Sequence, residues 1–142
     1  MDLKNKLDQL LKRVEKPGRY IGGEVHSIEK SPEEVDANFA FAFPDLYEIG
    51  MSYLGLQILY NVLNKKEGIY CQRVFAPAAD MEELMRQENV PLMTLETKTP
   101  LREMDFVGFT LQYEMSYTTV LNMLDLAQIP LYSKERGEDY PI

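Results

Sequence analysis

The sequence predicts an α/β fold, a parallel sheet with helices on both faces, preceded by a separate N-terminal helix. Three observations carry this. Residues 39–43, 70–75 and 106–111 are short apolar runs of buried-strand length. Helix-period segments follow them, beginning near Ser52, Asp80 and Ser116. Strand and helix alternate, and such alternation forms right-handed βαβ crossovers in a parallel sheet.

Taken in order, Leu3, Leu7, Leu10, Leu11 and Val14 fall on one helical face, and Pro17-Gly18 ends it. Residues 1–17 therefore form an N-terminal helix. Residues 18–37 read as a connecting arm, in which "GEVHSIE" alternates like a short edge strand or hairpin arm. The α/β unit spans 38–142. Its first strand, "NFAFAF", stops at Pro44, and "PDLYEIG" links it to "SYLGLQILYNVLNK", apolar nearly all round and so expected to be a buried helix. "YCQRVFAP" is the second strand. Asp80 and Glu83 resemble a capping box for "DMEELMRQE". "FVGFTLQ" is the third strand, and Ser116 is placed to cap the last helix. "IPLYSKERGEDYPI" reads as a charged turn flanked by strand beginnings. With no terminal helix after it, the unit is expected to be truncated at its C-terminus.

The composition narrows the function. The chain has 142 residues, one ordinary domain, with a net charge of −8. Such an acidic balance argues against broad binding to a phosphate backbone. No apolar run reaches the roughly 20 residues that span a bilayer. The single cysteine, Cys71, excludes a disulfide framework, and a reducing cytoplasm is the plain reading. One histidine, His26, and no nucleophile elbow leave little room for hydrolase chemistry. Neither a phosphate-binding glycine loop nor a dinucleotide fingerprint is present.

Ligands of open parallel sheets sit beyond the carboxyl ends of the strands. That rim holds Asp45, Tyr47 and Gly50 after the first strand, and Thr110, Gln112 and Ser116 after the third. They can present carboxylate, hydroxyl and amide groups to a ligand. The same residues also serve turn and capping chemistry with no ligand. Tyr47, Tyr53, Tyr113 and Tyr117 gather near the rim, as a flat-ligand pocket or a domain interface requires.

The wording "FPDLYEIGMSYLGLQILY", "RVFAP", "DMEELMR" and "VGFTLQYEMSYTTVLNMLDLA" resembles the N-terminal region of a group of radical SAM proteins, in which a cobalamin-binding-like domain precedes the iron–sulfur barrel. The resemblance implies a flavodoxin-like, cobalamin-binding-type sheet in which the first and third strands are neighbours. The cobalamin family carries a D-x-H-x-x-G loop, and Asp45, Tyr47 and Gly50 match it as D-x-Y-x-x-G. Tyr47 thus stands where an axial histidine would be. A phenol is a poor axial donor beside imidazole, so cobalamin binding is expected to be weak or lost. The resemblance further implies an S-adenosylmethionine and iron–sulfur barrel as partner, outside these residues, since no C-x-x-x-C-x-x-C loop occurs here. The readings are therefore an accessory cobalamin-binding-like domain of a radical SAM enzyme, or a cofactor-free module docking on the barrel or a partner protein. A flavodoxin-like nucleotide binder ranks below both. Self-association through a sheet edge or the tyrosine-rich rim is expected.

Overall fold

A computed structural model of the protein describes residues 2–142. Its sheet has three parallel strands: β1 (Ala37–Phe43), β2 (Ile69–Phe75) and β3 (Phe106–Phe109), in the order β2-β1-β3. The first and third strands are neighbours, as expected. Phe39 of β1 pairs with Cys71 of β2 and with Phe106 of β3. The helices are α1 (Leu3–Leu11), α2 (Gly18–Ile21), α3 (Tyr47–Met51), α4 (Leu54–Asn64), α5 (Ala79–Glu88) and α6 (Ser116–Leu126).

Alternation along the strands builds two cores. Ala40, Ala42 and Val74 point to one face, where they meet Leu7 and Leu10 of α1, Met81, Leu84 and Met85 of α5, and Met123 and Leu124 of α6. Alanines on the central strand leave room for those longer side chains. Phe41, Phe43, Cys71 and Phe75 point to the other face, against Leu56 and Tyr60 of α4. Asn64, at the end of α4, exchanges two 2.9 Å hydrogen bonds with the backbone of Cys71, which pins the helix to β2.

Four local expectations are corrected. "GEVHSIE" is not a strand: the arm contains the single turn α2 and then runs without regular structure. "PDLYEIG" is not merely a loop, because α3 begins at Tyr47 and Ser52 ends it before α4 starts. Ser116 does not cap α6; it is the first helical residue, and its buried hydroxyl finds no partner. Finally, α4 is not buried all round, since Leu54, Ile58, Leu59 and Val62 remain 47–71% exposed. No helix among the described residues is long and apolar enough to cross a membrane.

Candidate functional site

The carboxyl-end rim is divided in two. Over β1 and β2 lies the arm, residues 18–30. Its hydrogen bonds run to α3, α4, β2 and the loops that follow β2. Arg19 pairs with Glu48 of α3 at 2.8 Å. The hydroxyl of Tyr20 accepts from the backbone N–H of Ala78 at 3.0 Å, and that of Tyr60 accepts from Ile28 at 2.9 Å. Lys98 donates to the carbonyls of Ile21 and Leu95. Gly22 makes the crossing possible: it has φ of 78°, and a Cβ there would stand 2.5 Å from the Leu95 carbonyl oxygen.

Beneath the arm is a buried ionic network that sequence reasoning did not single out. Arg73, in the middle of β2, has a side chain only 2% exposed, and its Nε donates to Glu96 at 2.8 Å. The second oxygen of Glu96 accepts from the Arg73 backbone at 2.7 Å. Nη2 of Arg73 reaches Ser27 of the arm at 3.0 Å, and the guanidinium lies 4.2 Å from the centre of the Tyr60 ring. The signal was visible as an arginine inside an apolar strand, which folding tolerates only with a partner.

Tyr47 belongs to this covered half. Its ring meets Phe75 edge-on, with centroids 5.5 Å apart, and its hydroxyl donates to Glu24 of the arm. Burial first, then the Glu24 carboxylate, pushes its pKa up to about 12, so the phenol is neutral at physiological pH. Gly50 sits directly against Phe75: a Cβ would meet the ring at 2.3 Å. Packing against the protein's own side chain demands this glycine. The cavity left under the arm, lined by Tyr20, Tyr47, Phe75, Met81, Leu95 and Lys98, measures about 50 Å³. That is room for about one or two waters.

The other half of the rim is open. A cleft of about 400 Å³ lies between the loops after β1 and β2 and the flanks of α5 and α6. Its polar lining is Asp45, Glu82, Tyr113, Thr118, Thr119 and Asn122. Asp45 caps locally, accepting from the backbone of Leu46 at 2.8 Å. Glu82 is held by Arg86 at 3.1 Å and Asn122 at 2.9 Å. Thr110 donates to Gln112 at 3.0 Å, on the segment beside this cleft. Ser116 is only 1% exposed. The rim residues named from sequence therefore do not converge: Asp45 faces the open cleft, Tyr47 and Gly50 are packed on the covered side, Thr110 and Gln112 pair with each other, and Ser116 is buried.

An axially ligated cobalamin does not fit the residues of this loop. There is no nitrogen donor at position 47, its phenol is engaged by Glu24, and Phe75 fills the space at Gly50. Among the described residues, no group of three or more His, Cys, Asp or Glu side chains is arranged to hold a metal ion.

A three-stranded parallel sheet with helices on both faces, covered on one half of its rim and open on the other, defines an α/β domain of the doubly wound type. The family model for the N-terminal domain of radical SAM proteins matches residues 55–142, and the chain belongs to that family. The matched segment includes Thr110, Gln112 and Ser116 but begins after the loop that carries Asp45, Tyr47 and Gly50. No curated protein and no solved structure matches the chain.

Proposed function

We propose that this accessory domain of a radical SAM protein works as a cofactor-free docking module, and that its D-x-Y-x-x-G loop has become a packing element. One observation carries the reading: Tyr47, at the position an axial histidine would take, is tied to Glu24 beneath the arm. A ligand approaching that hydroxyl must displace the arm and its hydrogen bonds. The chain's only cysteine is buried, and burial pushes its thiol up to about 12, so it offers no thiolate to a metal cluster. Radical chemistry then belongs to a partner part with its own cluster and S-adenosylmethionine, and this domain contributes surface. The test is gel filtration of the chain with added hydroxocobalamin, read by visible absorption. Elution of the two species apart is the expected result; one-to-one co-elution overturns the reading.

A further inference from the structure

Arg73 is buried with one of its nitrogens poorly partnered. A guanidinium carries five N–H donors, and a charge taken out of water needs acceptors for them. Nε reaches Glu96 and Nη2 reaches Ser27, but Nη1 meets only the sulfur of Met51, at 3.5 Å. A thioether is a weak acceptor. The same sulfur lies 3.8 Å from Nε2 of Gln57, whose amide also donates to the Met51 carbonyl at 3.0 Å. Among the described residues, no other methionine sulfur meets an N–H donor.

Met51 closes α3 and packs against the aromatic core, yet stays partly exposed. A peroxide can therefore reach its sulfur. In that reaction a sulfur lone pair forms the S–O bond as the peroxide O–O bond breaks. The departing hydroxide takes the proton of the transferred oxygen and leaves as water, so sulfur is oxidised and the peroxide reduced. Among apolar neighbours a sulfoxide disrupts packing, because it is polar. Here its oxygen, one bond beyond the sulfur, comes within reach of Nη1 of Arg73 and Nε2 of Gln57. A weak acceptor is replaced by one suited to a charged donor. Glu96 and Ser27 keep their own nitrogens of Arg73, so the ion pair and the hold on the arm are unchanged.

We infer that Met51 is a site of S-oxidation by hydrogen peroxide, and that Arg73 and Gln57 bind the sulfoxide and so fasten α3 to β2 and α4. The modification strengthens the covered half of the rim instead of loosening it. The buried methionines supply the contrast. Met81, Met85 and Met123 lie among apolar side chains at 0–5% exposure, out of reach of an oxidant and with no N–H donor at the sulfur.

Hydrogen peroxide treatment of the folded chain tests this, in a Met115→Leu background that removes a side chain 73% exposed. By peptide mass spectrometry, Met51 should gain one oxygen while Met81, Met85, Met104 and Met123 stay unmodified. The oxidised chain should then unfold at a higher urea midpoint than the untreated one, and adding Met51→Leu should abolish the rise. Met51→Gln offers an amide oxygen near the same place with no oxidant, and should unfold at a higher midpoint than Met51→Leu. Modification of Met51 only together with the buried methionines overturns the inference, because the sulfur then reacts through unfolding. An unchanged or lower midpoint on oxidation overturns it, as does a rise that persists in Met51→Leu. A midpoint for Met51→Gln no higher than that of Met51→Leu also overturns it.

Discussion

The two halves of the rim are built from the same strand ends, yet one is covered and the other open. Over β1 and β2, an arm, a buried ion pair and an aromatic ring fill the space a ligand would need. On the side of α5 and α6, a 400 Å³ cleft keeps polar side chains exposed. The difference lies in the arm. Residues 18–30 lie across one side only, and the polar groups of Arg73, Tyr47 and Tyr60 find their partners there within the protein. A loop of cofactor-binding pattern can therefore persist while its space is taken up by packing. If so, substitutions in the covered half cost stability, and those on the open half do not.

The largest effect is expected at Arg73. Arg73→Met leaves Glu96 buried without its partner, which costs about 3–5 kcal/mol, read as a lower midpoint in urea unfolding. Adding Glu96→Gln should recover part of the loss, since it removes the orphaned charge. An unchanged midpoint for Arg73→Met would show that the covered half is not held by this pair.

Gly50→Ala comes next. A Cβ at 2.3 Å from Phe75 forces a repacking of α3 that costs about 1–3 kcal/mol, and Phe75→Leu in the same chain should relieve it. A glycine kept for ligand approach would accept alanine with no loss.

These positions also show what the sequence conveyed. Phe39, Phe41 and Phe43 alternating with alanines specified a strand buried on both faces, and the flanking helical periods specified its parallel neighbours. The three apolar runs match β1, β2 and β3 to within a few residues. Less legible was everything that depends on contacts distant in the chain. The partner of Tyr47 is 23 residues away in an arm whose alternation over residues 23–29 suggested a strand that does not form, and the partner of Arg73 lies in an irregular turn. The α4 expectation failed because an apolar helix is buried only if something covers its outer side, and the pattern does not say what does. Ser116 failed as a cap because the turn before α6 is already helical at Met115, so the serine side chain points inward.

A smaller effect concerns pH. Cys71, Tyr47 and Tyr60 have their pKa values pushed up to about 12 from ordinary values of 9.0, 10.0 and 10.0, each chiefly by burial. The folded state then binds these protons more tightly than the unfolded state, so stability is full below pH 9 and falls as pH rises toward about 12. Cys71→Ala should move the onset of this loss from about pH 9 to about pH 10, as read by urea midpoints across the range. Tyr47→Phe at neutral pH removes the bond to Glu24 and should cost about 1.5 kcal/mol.

The smallest effect belongs to the open half. Tyr113→Ser removes a cleft-lining side chain that is 51% exposed and should change stability by less than about 0.5 kcal/mol. A large loss there would mean that the rim is packed on both sides and that the contrast drawn here fails.

The central claim is that Tyr47, which stands where the resemblance would put an axial ligand, is covered, and electron paramagnetic resonance of cob(II)inamide, which has no nucleotide base to supply a nitrogen of its own, tests it most directly. In a His26→Ala background, Tyr47→His leaves one histidine, placed where an axial donor would stand. With the arm closed over that position, the spectrum in the presence of the variant should show no nitrogen superhyperfine splitting from the protein. Splitting that appears with Tyr47→His and is absent with Tyr47→Phe would contradict the account, because only an accessible loop can deliver that ligand to cobalt.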